Sequence, residues 1–146
     1  QRLELAQIGA AVAPALAQAL PQADTGLDAI FCECVLSVTG QAGPVLGEAA
    51  RALRPGGWLV LSDLYLRSGA AGPGGGGSCL AGAMPEGALR GLLEAAGLIV
   101  AHFEDHSRLL AELAGRLIFA GLEPGAPCTG GRPGYFLCLA RRGQPE

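Results

Sequence analysis

The chain has 146 residues, half of them hydrophobic, with 16% charged residues and a formal net charge of −3. A chain of this length can bury most of its surface in one core, and its composition excludes general disorder, while the aperiodic glycines exclude collagen. All ten basic residues are scattered arginines, so the basic stripe of a nucleic-acid binder is missing. No apolar run reaches membrane-spanning length, and the start, Gln1-Arg2-Leu3-Glu4, lacks the basic and apolar regions of a signal peptide. The five cysteines form no dense disulfide spacing, which points to free thiols and a cytoplasmic location. The absence of an initial Met suggests a fragment or a processed piece. A single domain over residues 1–146 is expected.

Taken in chain order, residues 1–10 read as helix, with Leu3, Ala6 and Ala10 at helical spacing. Residues 11–17 read as a short buried strand, and residues 20–26 as a turn. The apolar run 27–36 reads as a central strand passing into a loop. Residues 44–53 place Val45, Leu46, Ala49, Ala50 and Leu53 on one helical face, with Arg51 and Arg54 at its end and Pro55-Gly56-Gly57 as its stop. Residues 58–66 carry the strongest strand signal. The Gly-rich run within 68–78 reads as a flexible connection. A helix over 85–96, stopped by Gly97, precedes a strand over 98–103. A second helix, 107–120, is expected to be capped by Ser107. A turn-rich loop and a last strand over 134–140 complete the chain. Strands alternating with helices imply an α/β fold with a mainly parallel sheet, whose ligands bind beyond the carboxyl ends of the strands.

The stretch LPQADTGLDAIFCECVLSVTG, followed by VLGEAARALRPGGWLVLSDLY, resembles the second half of a class I S-adenosylmethionine-dependent methyltransferase. That family commonly carries an LP…FDAV run into its fourth strand and an RVLRPGG run before its fifth. LRGLLEAAGLIV and GYFLCLARR resemble the family's later helix and its antiparallel last strand. The resemblance implies a Rossmann-like sheet and S-adenosylmethionine as cofactor. The family's first strands and its D/E-x-G-x-G-x-G loop have no counterpart in these residues. Gly74 to Gly77 do not supply that loop, because they follow a strand and open no helix. On this resemblance Leu16 and Ala17, before the LP turn, and Cys32 and Glu33, at the end of the fourth strand, border the cofactor.

A narrower resemblance is to arsenite methyltransferases. Glu33-Cys34-Val35-Leu36-Ser37 is similar to their NCVIN segment, and Ser78-Cys79-Leu80-Ala81-Gly82-Ala83-Met84 to their ECLGGAL segment. It implies that Cys34 and Cys79 form a thiolate pair for trivalent arsenic, a soft centre that thiolates suit. Glu33 stands where that family usually has Asn, and a Gly-rich insertion precedes Cys79.

The remaining polar residues have plainer readings. Cys32 and Cys34 share one face if the strand continues, and their spacing is not that of a structural zinc site. No resident metal is expected. Asp63 either orients the substrate or the Cys79 loop, or caps a loop. His102 and His106 form a polar edge and a helix start. Trp58 and Cys138 are packing residues.

Two functions follow. One is methyl transfer from S-adenosylmethionine to a small molecule such as a thiol-bound metalloid, with Cys34 and Cys79 as the working residues. The alternative is a truncated methyltransferase-like module that binds no cofactor and acts as an interaction or thiol-binding protein, self-associating through an exposed sheet edge.

Overall fold

The structure, a computed structural model, describes residues 12–69, 82–122 and 131–144. The expected helix over 1–10, nearly all of the Gly-rich run with Cys79, and the loop over 123–130 lie outside the described residues. The elements are β1 (Leu27–Glu33), α1 (Leu36–Thr39), α2 (Ala42–Ala52), β2 (Leu53–Gly69), α3 (Glu86–Ala95), β3 (Leu98–Asp105), α4 (Ser107–Phe119) and β4 (Gly131–Arg142).

The described strands form one sheet in the order β1-β2-β4-β3. β1 and β2 are parallel, and β4 runs antiparallel to both of its neighbours. Three strands therefore share one direction and the last strand opposes them, which is the expected α/β methyltransferase-like sheet. The β1-α2-β2 and β2-α3-β3 crossovers progress the same way across the sheet. Right-handed crossovers then place α2 and α3 on one face, and the two helices touch.

That face holds the core. α2 buries Val45, Leu46, Ala49 and Ala50, the stripe visible in the sequence, and α3 buries Leu89 and Leu93. They close over Leu59 and Leu61 of β2 and Phe136, Cys138 and Ala140 of β4. The opposite face is open along one row: Phe31 lies beside Val60, and Val60 beside Leu139. Phe31 is 72% exposed.

Three expectations are corrected. Residues 12–15 form no strand, and Leu16 meets only Ala19 in an isolated bridge across a tight turn. Pro14 lacks an amide donor, and alanine favours strands weakly. The second correction concerns α2, which ends at Ala52, so that Leu53 already opens β2. Pro55 disfavours helical backbone at Arg54. The extra residues are absorbed as an irregularity, since Leu27 pairs with Leu53 but Ala29 with Trp58. Gly57 makes this crowding workable: a Cβ there would lie 2.9 Å from the Arg54 carbonyl oxygen and 3.0 Å from that of Asp28. The third correction is at α4, where Ser107 is the first helical residue and His106 the cap. The Ser107 amide and hydroxyl both donate to the Asp105 carboxylate, a local turn that outcompetes capping.

Residues 16–26 are clasped to α2. The Leu20 amide donates to Glu48 Oε1 at 2.7 Å, and Arg51 bonds Glu48, the Asp24 carboxylate and the Gln22 carbonyl. The Arg51 hydrogen bond, followed by the Leu20 amide, holds the Glu48 carboxyl down at about 2. A depressed folded-state value means that the unfolded chain binds the proton first as pH falls. Stability contributed by Glu48 is therefore expected to be present above about 4.5 and to be lost as pH falls toward 2. Urea unfolding at pH 6 and pH 3 checks this: Glu48→Gln should reduce the acid-induced loss, and an identical loss in both proteins would contradict it.

Among the described residues no helix is long and apolar enough to cross a membrane.

Candidate functional site

The chemistry-bearing side chains gather at the carboxyl ends of β1 and β2. β1 ends at Glu33, and Cys34 turns out of the strand with a left-handed φ of 54°. A non-glycine residue in that region is uncommon and needs its surroundings to hold it. Here the Cys34 amide donates to the Ser62 carbonyl at 2.8 Å. The turn breaks strand alternation, so Cys32 and Cys34 do not share a face: Cys32 is buried and Cys34 exposed. Burial, then Asp63, then Cys34 push the Cys32 thiol up to about 11. Cys32 is thus a neutral packing thiol. Burial likewise pushes Cys138 up to about 11, in keeping with its expected packing role.

Asp63 lies on the helix-covered face of β2 and is 1% exposed. It accepts the Ser37 amide at 3.0 Å, the Ser37 hydroxyl, and the Leu64 amide at 2.7 Å. Of the two roles considered for Asp63, loop capping is the one these bonds describe. It ties the turn bearing Cys34 to β2. The chain that follows the Gly-rich run returns to the same place, where the Gly82 amide donates to the Ser37 carbonyl at 3.1 Å. A Cβ on Gly82 would collide with that carbonyl, so only glycine permits the approach. The Leu66 amide then donates to the Met84 carbonyl at 3.0 Å, continuing the return along β2.

Ser62 and Tyr135 complete the site from the open face. Ser62 sits beside Glu33 in register, and the Tyr135 hydroxyl on β4 donates to Ser62 Oγ at 3.1 Å. The Ser62 bond favours ionisation of Tyr135, but burial, the Cys34 thiol and the Glu33 carboxylate outweigh it and raise the phenol above its ordinary value. The hydroxyl therefore stays protonated at neutral pH.

Cys34, Glu33 and the buried Cys32 are thus adjacent. Leu16 is 64% exposed in its turn, and Ala17 packs on the core. Cys79 lies outside the described residues. His102 Nε2 and His106 Nε2 approach the Glu104 carboxylate at 3.3 and 3.6 Å, the polar edge read from sequence. Sequence reasoning gave Ser37, Ser62 and Tyr135 no role, although Ser37 closes the segment similar to NCVIN and Ser62 opens Ser62-Asp63-Leu64-Tyr65, which resembles the same family's SDVY. The Ser62-Asp63 pair at a strand end was a usable signal; Tyr135 carried none.

Residues 2–61 match the methyltransferase domain family. The fold extends the match: the chain is similar to the (4+2)-cyclase SpnF, with a TM-score of 0.65 and 21% identity over 91% of this chain and 56% of that one. The chain carries the S-adenosylmethionine-dependent methyltransferase fold. It is similar to the arsenic(III) S-adenosylmethionine methyltransferase of Chlamydomonas reinhardtii, at TM-score 0.53 and 21% identity, over 85% of this chain and 40% of that one. It is also similar to phosphoethanolamine N-methyltransferase 2 of Haemonchus contortus, at TM-score 0.65 and 12% identity, over 88% of this chain and 36% of that one. The chain spans 56% or less of each of these proteins. A cyclase and two methyltransferases of different acceptors share this fold, so the fold does not choose the reaction or the acceptor.

The residues that the resemblance sets beside a cofactor differ in how they would suit one. Glu33 is an exposed carboxylate at a strand end, suited to a cationic sulfonium, and Leu16 offers an exposed apolar surface. The Cys32 side chain points into the core, so only its backbone can border a ligand.

Proposed function

We propose that this chain takes part in S-adenosylmethionine-dependent methyl transfer to a small molecule with a soft centre, such as thiol-bound arsenite. Cys34 and Cys79 form the thiolate pair that holds the acceptor. Leu16, Ala17, Glu33 and the Cys32 backbone border the cofactor, which supplies an activated methyl group when bound. The protein's own part is alignment: it holds the acceptor at a fixed place beside the cofactor. A cytoplasmic location and the absence of a nucleic-acid partner belong to the same reading.

The observation that carries it is the Cys34 turn. An exposed thiol is held in left-handed backbone at the carboxyl end of β1, where ligands of such sheets bind. Asp63 and Gly82 tie that turn to the chain's return, and Cys79 stands three residues before Gly82. Calorimetric titration with arsenite tests the pair. Cys34→Ser and Cys79→Ser should each weaken binding by at least about tenfold, because each removes one arm of a two-point attachment. Unchanged arsenite binding in both variants would sink the thiol pair.

One observation favours a second reading, a module that binds no cofactor and associates through its sheet. β1 is an edge strand among the described residues, and it exposes Phe31 beside Val60 and Leu139. Unpaired apolar edges invite pairing with another chain. Light scattering across a concentration series should then show self-association, whereas a stable monomer throughout would remove this reading.

A further inference from the structure

A hydroxyl pair, Ser62 and Tyr135, lies beside the Cys34 turn. Ser62 is 7% exposed and Tyr135 half-buried, on the sheet face away from α2 and α3. They are 73 residues apart in sequence and meet only because β4 inserts next to β2. Beside them Glu33 pairs in register with Ser62, and the Cys34 amide donates to the Ser62 carbonyl at 2.8 Å. Among the described residues, no cationic side chain hydrogen-bonds Ser62 or Tyr135. Each hydroxyl both donates and accepts. One can satisfy the other while the second turns its free proton or lone pair to a ligand.

We propose that the Ser62–Tyr135 hydroxyl pair is the acceptor-recognition group of this site and selects ligands that present uncharged hydroxyl groups over oxyanions. This rests on the placement of the acceptor at Cys34 given above. Two neutral hydroxyls complement a neutral O–H group, whereas an anion brought here faces the Glu33 carboxylate, and among the described residues no cationic side chain is hydrogen-bonded to the pair to offset it. Arsenous acid, As(OH)3, is a neutral ligand of this class. Exchange with the Cys34 thiol forms one As–S bond and breaks one As–O bond. The thiol proton leaves with the departing hydroxyl as water. The hydroxyls that remain on arsenic are uncharged, and the Tyr135 hydroxyl bonds one of them. Tyr135 thereby sets the acceptor class, while Ser62 positions Tyr135.

The test is calorimetric titration of the 146-residue chain with arsenite, with inorganic phosphate and, separately, with S-adenosylhomocysteine. Tyr135→Phe keeps the ring and removes the hydroxyl; Ser62→Ala removes the other half of the pair. Each variant should weaken arsenite binding about fivefold, the net value of a neutral hydrogen bond, and leave S-adenosylhomocysteine binding unchanged. Phosphate should not bind. Arsenite affinity unchanged in both variants, or phosphate bound as tightly as arsenite, overturns the inference. If the chain binds S-adenosylhomocysteine but not arsenite, the inference falls and the cofactor reading stands. If arsenite binding depends on Tyr135 while S-adenosylhomocysteine does not bind, the inference stands and the cofactor reading falls.

Discussion

Replacing Asp63 by Ala is expected to lower the unfolding free energy by about 3 kcal/mol, a large part of the stability of a domain of this size. The carboxylate is 1% exposed and accepts two backbone amides and one hydroxyl. Deleting it takes the partner from the buried Ser37 amide and from the half-buried Leu64 amide, and each unsatisfied donor carries a desolvation cost. Asp63→Asn should recover only part of the loss, because its NH2 group would face a donor where an acceptor is needed. The damage should spread to the site, since Ser37 also receives Gly82. Urea unfolding gives the stability, and Cys34 alkylation under native conditions reports the turn. A loss below about 1 kcal/mol for Asp63→Ala would mean that water replaces the carboxylate, contrary to its burial.

A larger loss, about 4 kcal/mol, is expected for Phe136→Ala. Phe136 is 1% exposed on the central antiparallel strand. Its ring stacks on Phe103 at 5.2 Å between centroids, and Tyr65 meets it edge-on at 5.7 Å. The substitution removes transfer energy, opens a cavity and breaks two aromatic contacts. Phe136→Leu should cost less, because it retains much of the volume. The same unfolding experiment measures both. Near-equal stability of the Ala and Leu variants would contradict a tightly packed aromatic centre.

Much of the fold is legible in the sequence where one period governs a segment. Val45, Leu46, Ala49 and Ala50 recur at helical spacing, and that stripe is the buried face of α2. The apolar run around Phe136 to Ala140 marks β4, although its start lies earlier. Gly131 and Arg132 gain strand form by pairing with Gly69 and Ser68, a partner invisible from their own composition. The opposing direction of β4 came from the family resemblance, because strand direction leaves no trace in hydrophobic period. Residues 12–15 show the reverse: a small apolar run looks buried, but nothing pairs with it among the described residues.

At the site, the local motif was readable and the assembly was not. Cys34 stood out by its neighbours in sequence. Its separation from Cys32 depends on one left-handed residue, which period-two reasoning passes over. Ser37 is joined to Asp63 across 26 residues, and Tyr135 to Ser62 across 73. Such contacts are created by sheet order, so they become visible only once β4 lies between β2 and β3.

The central claim is that these strand ends form a working part of a methyltransferase site. Calorimetric titration of the chain with S-adenosylhomocysteine, the product form of the cofactor, tests it most directly. The account predicts saturable micromolar binding that Glu33→Gln weakens and that leaves Phe136 packing untouched. No heat of binding up to millimolar ligand would contradict it and would leave the chain as a methyltransferase-like module without the cofactor.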